Sequence, residues 1–162
     1  MPEGKPIGYT DADFASQEHR HSVSGYAFLI HGGAVSWSSK TQAVIALSST
    51  EAEYIAGTHA AKEAKWMAML LSEIGRHAPR PFPVLADNLS AIALSKDNAF
   101  HSRTKHIDIP YHYIREAVEV GDLRLDYVKT DANLADIFTK ALARPKVELF
   151  SGKLGLSRPP NV

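Results

Sequence analysis

No cysteine occurs anywhere in the 162 residues. That excludes disulfides, thiol nucleophiles and zinc sites built on thiolates, and it fits a reducing compartment. Excess charge is missing as well: 18 Lys and Arg stand against 18 Asp and Glu. A partner held by bulk attraction to a polybasic surface is not expected, so any nucleic-acid site has to be a local patch. Apolar runs are only a few residues long, and Met1-Pro2-Glu3-Gly4-Lys5 has no signal-peptide core. No repeat, low-complexity tract or internal linker is visible. What is present is a 44% hydrophobic chain of ordinary domain length, enough to bury a sizeable core. The expectation is one soluble, intracellular domain over residues 1–162, its core at about 7–156, with no membrane contact.

The order of elements narrows the fold. Residues 7–15 read as a strand, and 24–31 and 34–39 as two more around His31-Gly32-Gly33, a hairpin signal. A long helix is predicted from Thr50 to Ile74, closed by Gly75 and Pro79. Pro83–Asp87 reads as a strand leading into a helix at Leu89–Ser95. A further helical stretch ends at Gly121, with Pro110 breaking, kinking or beginning part of it. Leu123–Val128 alternates like a strand, and Asn133 to about Leu154 reads as two short helices separated near Arg144-Pro145. A meander followed by αβ crossovers implies an α/β fold: a mixed five-stranded sheet, an antiparallel meander plus two parallel strands, with helices on both faces.

Four acidic positions stand where such a sheet gathers side chains. Asp11 is in the first strand, Glu53 in the first turn of the long helix, Asp87 at the end of the fourth strand, and Asp136 at a later helix start. Open α/β sheets form their crevice beyond the strand ends. Clustered carboxylates repel and need a counter-charge, and with hard oxygen donors that is Mg²⁺ or Mn²⁺. Each position also has a purely structural explanation. Thr50-x-x-Glu53 reads as a capping box, Asn133-x-x-Asp136 as a weaker one, and Asp87 as a helix cap. Asp11 and Asp13 share a strand face, so both can approach a cation. Glu53 begins a stripe through Ala56, Gly57, Ala60, Ala64, Met67, Leu71 and Ile74, which turns it inward; the more polar stripe from Glu51 turns that residue to solvent. Trp37 and Trp66 read as core.

Several runs resemble the ribonuclease H domain of copia-type LTR retrotransposon polyproteins. They are Gly8–Ala15, Ser22–Tyr26, Ala46–Tyr54, Asp87–Ile92, Arg103–Asp108 and Ala135–Lys140, in the family's order across about Ile7–Leu156. The resemblance implies a ribonuclease H-like fold and a two-metal nuclease that cleaves the RNA strand of an RNA–DNA hybrid. It places the family's catalytic and metal-binding acids on Asp11, Glu53, Asp87 and Asp136. The implied cofactor is two Mg²⁺, with Mn²⁺ as a substitute, and the implied partner is the reverse transcriptase domain of the same polyprotein, in a cytoplasmic virus-like particle. Substrate contacts are expected from Ser48, Ser49, Asn88 and Ser90, which read 2′-hydroxyls, and from Arg103 and Lys105 in the basic cluster 101–106. The chain departs from the family at Ala141, where many relatives carry proline, and at Pro110. Residues 122–135 contain no histidine, so no side-chain proton shuttle is assigned.

Two other functions compete with this one. A transposase or integrase core shares the fold, but its glutamate comes from a late helix, whereas Glu53 is early. A catalytically weak or silent ribonuclease H-fold module that relies on an attached reverse transcriptase is the other. Intact acids at all four positions argue against it.

Overall fold

The computed structural model describes residues 5–96 and 108–157. Its strands are β1 (Ile7–Asp13), β2 (Val23–Ile30), β3 (Gly33–Thr41), β4 (Phe82–Ala86) and β5 (Leu123–Tyr127). Its α-helices are α1 (Ser49–Glu73), α2 (Leu89–Lys96), α3 (Asp108–Glu119) and α4 (Arg144–Lys153). The sheet order is β3-β2-β1-β4-β5. β1, β2 and β3 pair antiparallel, while β4 runs parallel to β1 and β5 parallel to β4. This is the mixed sheet that the element order implied. The β2–β3 turn consists of His31 and Gly32, both at positive φ, the backbone that matches the twist of a tight hairpin.

Each sheet face has its own core. Phe28, Phe82, Val84, Ala86, Leu123 and Leu125 pack beneath α1, α2 and α3. Tyr9, Ala27 and Leu29 pack on the other face against Phe150 and Leu154 of α4 and Leu134 and Ala135 of a 3₁₀ turn, Leu134–Phe138. Among the described residues no helix is long and apolar enough to cross a membrane.

The start of α1 differs from expectation. The cap is Ser48, whose hydroxyl accepts the Glu51 N–H, and the Glu51 carboxylate accepts the Leu47 N–H at 2.8 Å. The reciprocal box is therefore Ser48-x-x-Glu51 rather than Thr50-x-x-Glu53. Glu51 is buried instead of facing solvent, because satisfying that amide draws its carboxylate back over the helix end. Glu53 consequently falls in the second turn. The inward stripe holds from Ala56 to Leu71, but Ile74 is 63% exposed beyond the last helical residue.

Three further expectations are corrected. Trp37 is 60% and Trp66 53% exposed. Trp37 stands opposite Ala27 on edge strand β3, beyond the layer that covers Ala27, and Trp66 is on the outer side of α1. Pro145 lies in the first turn of α4 rather than between two helices, where its missing N–H costs nothing. The segment after Asn133 is a 3₁₀ turn, not an α-helix. Pro110, one of whose expected roles was to begin its helix, lies in the first turn of α3, which starts at Asp108.

Candidate metal centre

Asp11 lies near the end of β1, completely buried. Tyr9 pairs with Leu85 in the parallel β1–β4 register, and two residues further on that register brings Asp11 beside Asp87. Asn88, rather than Asp87, caps α2: its Oδ1 accepts the Ala91 N–H at 2.9 Å. The structural explanation for Asp87 thus falls to its neighbour, and among the described residues Asp87 carries no ion pair.

Asp136 comes from the far end of the chain. The buried Asn133 donates from Nδ2 to the Thr10 carbonyl at 3.0 Å, and its Oδ1 accepts the Ala135 N–H at 3.2 Å. That side chain ties the 3₁₀ turn to β1. The turn can lie close because residue 25, the partner of Asp11 on β2, is glycine. A Cβ there would stand 2.6 Å from Thr139 Cγ2 and 3.1 Å from Phe138 Cβ. Gly25→Ala is accordingly expected to destabilise the fold by about 1–3 kcal/mol through overpacking and to push Asp136 outward. A thermal melt checks the first effect; an unchanged melting temperature would contradict this account.

The outcome is a cluster in which one oxygen each of Asp11, Asp87 and Asp136 lies within 4.8 Å of the others. Glu53 is the fourth member by charge. Burial first, then the charges of Asp11 and Asp87, push its pKa up to about 9, against opposition from Lys140 and the Ala12 backbone N–H. Its Oε2 is buried and has no hydrogen-bond partner among the described residues. Burial also raises the pKa of Asp11, opposed by Thr139 and Lys140. A shared, partly buried set of oxygen donors, with the Glu53 Oε2 left without a partner among the described residues, fits a hard divalent cation of the Mg²⁺ or Mn²⁺ type.

Sequence reasoning missed the cations already present. Lys140 Nζ lies 3.0 Å from Asp11 Oδ1 and 3.1 Å from Asp136 Oδ1, and Lys146 Nζ lies 3.0 Å from Asp136 Oδ2. The Thr139 hydroxyl donates to Asp11 Oδ2. Burial lowers the pKa of Lys140, but the charge of Asp11 and hydrogen bonds to Asp11 and Asp136 outweigh it and leave the ammonium firmly protonated. Its spacing of four from Asp136 was the available signal, since such a pair meets on one turn.

Of the expected substrate contacts, Ser48, Ser49 and Ser90 are exposed and Asn88 is half-buried, around the starts of α1 and α2. Ser48 and Asn88 both serve as caps. Arg103, Lys105 and the rest of the 101–106 cluster lie outside the described residues. Gln42, after β3, is buried; its Nε2 donates to Ser24 Oγ and the Ala52 carbonyl, both at 2.8 Å.

Comparison with solved structures defines the class. LC11-RNase H1, crystallised with an RNA/DNA hybrid, superposes with a TM-score of 0.60 over 83% of this chain and 94% of that one, at 16% identity. The fold is the ribonuclease H fold. No protein-family model matches the chain. The retrovirus-related Pol polyprotein from transposon TNT 1-94 of Nicotiana tabacum is 47% identical over 150 residues, 92% of this chain and 11% of the polyprotein. That from transposon RE1 of Arabidopsis thaliana is 41% identical over 153 residues, 94% of this chain and 10% of the polyprotein. This chain belongs with the retrovirus-related Pol polyproteins of copia-type plant transposons, as a homologue of one segment spanning about a tenth of their length.

Proposed function

We propose that the chain is a single ribonuclease H domain that hydrolyses the RNA strand of RNA–DNA hybrids during reverse transcription, in a retrotransposon particle and alongside the reverse transcriptase of the same polyprotein. The observation that carries this reading is the meeting of Asp11, Asp87 and Asp136 within 4.8 Å, from three separate parts of the chain. Gathering three carboxylates, two of them buried and one half-buried, is costly even with lysines beside two of them, so a site that keeps them implies a use for them.

Asp11, Glu53, Asp87 and Asp136 would hold the divalent cations. When bound, a pair of Mg²⁺ or Mn²⁺ ions supplies a water nucleophile at neutral pH and stabilises charge on the scissile phosphate and the leaving 3′-oxygen. The protein's part is position and charge. Asp11 comes from β1, Asp87 from just past the end of the neighbouring strand β4, and Asp136 from the turn packed on β1 and β2. Glu53 and Asp87 would help hold the ion that supplies the water, and Asp136 the one that stabilises the leaving oxygen. In-line displacement by water leaves a 5′-phosphate and a 3′-hydroxyl. Ser48, Ser49, Asn88 and Ser90 contact the hybrid at the two helix starts. Because Asn88 caps α2 with its oxygen, its amide hydrogens can face a 2′-hydroxyl, the group that distinguishes RNA from DNA. Arg103 and Lys105 hold phosphates.

A second reading has one observation in its favour. Asp11 and Asp136 are already neutralised by Lys140 and Lys146, as a catalytically silent module dependent on its polymerase would allow. A gel assay on labelled RNA–DNA hybrid, duplex RNA and duplex DNA, with and without Mg²⁺ or Mn²⁺, separates the two. Cleavage of the hybrid's RNA strand only with metal is expected. Intact hybrid at saturating metal, together with a melting temperature that divalent cations leave unmoved, favours the silent module.

A further inference from the structure

The four oxygens of the two most deeply buried acids are all taken. Lys140 Nζ engages Asp11 Oδ1 at 3.0 Å and Asp136 Oδ1 at 3.1 Å. The Thr139 hydroxyl occupies Asp11 Oδ2, and Lys146 Nζ occupies Asp136 Oδ2 at 3.0 Å. The two lysines are not equivalent. Lys146 is carried by α4 and also rests over the Phe150 ring, 5.1 Å from its centroid. Lys140 bridges both aspartates; its side chain is about as exposed as that of Lys146, 32% against 29%, so the bridging position is what sets it apart. It combines the central position with an open path to water on a flexible four-carbon stem.

Building on the reading of these acids as divalent-cation ligands, we propose that Lys140 is a displaceable counter-cation. Its ammonium holds Asp11 and Asp136 together while no divalent ion is bound, and it swings to solvent when one enters. An ammonium and a doubly charged ion cannot both sit between the same two carboxylates in a buried site, where their repulsion is poorly screened. The lysine hydrogens also occupy lone pairs that a hard cation requires. Thr139 and Lys146, on the Oδ2 atoms of Asp11 and Asp136, stay in place and keep the carboxylates oriented, as groups behind metal ligands do. Two consequences follow from the exchange. The fold keeps its acid cluster neutralised when divalent ions are scarce, and ion affinity is set below what the bare carboxylates would give.

The test is Mn²⁺ and Mg²⁺ binding by titration calorimetry, with thermal melting, on the wild type, Lys140→Met and Lys140→Arg. Lys140→Met keeps the stem and removes the charge. It is expected to melt lower than the wild type without metal, to bind Mn²⁺ at least about tenfold more tightly, and to gain more melting temperature from it. Lys140→Arg is expected to bind no more tightly than the wild type. A merely structural lysine would lower the melting temperature without tightening binding, so wild-type or weaker affinity in Lys140→Met overturns the proposal. Should that variant fail to fold without metal, ¹⁵N spectra of the wild-type lysine ammonium groups decide. The Lys140 resonance, protected in metal-free protein, should be lost to solvent exchange at saturating Mg²⁺, and its persistence there overturns the displacement. Metal bound with Lys140 unmoved removes only this proposal. No uptake of either ion by any of the three proteins removes the cation reading itself.

Discussion

Asp87→Asn is expected to lower hybrid hydrolysis at least about a thousandfold, equivalent to about 4 kcal/mol of lost transition-state stabilisation. The metal-free fold should survive the change. Among the described residues Asp87 has no ion pair, and the cap of α2 belongs to Asn88. The substitution also removes one of the charges that press on Glu53, so the metal-free melting temperature should hold or rise. Single-turnover cleavage assays with circular-dichroism melts of both proteins check the two halves together. Wild-type turnover in Asp87→Asn would remove Asp87 from the chemistry. Lost turnover with a collapsed melt would show that Asp87 serves the fold instead.

The second large effect concerns Glu53 and pH. Its folded-state pKa of about 9 lies above the ordinary value of 4.5, so between those two pH values the folded state retains a proton that the unfolded chain releases. Metal-free stability therefore falls as pH rises through that window. Glu53→Gln, which cannot ionise, should flatten the decline and make the metal-free protein more stable at pH 8 by about 1–3 kcal/mol, several degrees of melting temperature. A divalent cation favours the ionised carboxylate, so ion uptake by the wild type should release a proton and tighten with rising pH. In Glu53→Gln that pH dependence should weaken and hydrolysis should fail. Equal pH slopes in the two metal-free proteins would refute the placement of this carboxyl with its Oε2 buried beside Asp11 and Asp87.

Much of this centre is legible in one dimension, for reasons that differ by residue. Asp11 and Asp87 are readable because a strand followed by a turn or a helix start brings its last side chains to the sheet edge, whatever the rest of the chain does. Glu53 is readable from the small residues that follow it at helical spacing, Ala56, Gly57, Ala60 and Ala64, which let α1 lie close to the sheet. Glu51 was misread because its orientation depends on which residue caps the helix. Ser48, Ser49 and Thr50 are all good caps, and only packing selects Ser48. The tryptophans misled for a related reason: an aromatic side chain in a strand or helix looks like core until the limits of the covering layer are known.

Lys140 and Lys146 were the least legible residues of all. Lysine on a polar, turn-rich segment ordinarily faces water, and nothing local says that Asn133 and Gly25 dock that segment onto β1 and β2.

Alternating and helical apolar spacing, with Gly and Pro at the turns, is enough to specify the order of the elements, the mixed sheet, and which four stretches bear the acids, since those depend on interactions between near neighbours in the chain. The company those acids keep was settled only by folding. Whether a buried carboxylate faces another carboxylate, a lysine or nothing depends on contacts spanning more than a hundred residues, such as Thr139 to Asp11, and no local pattern encodes a contact of that reach.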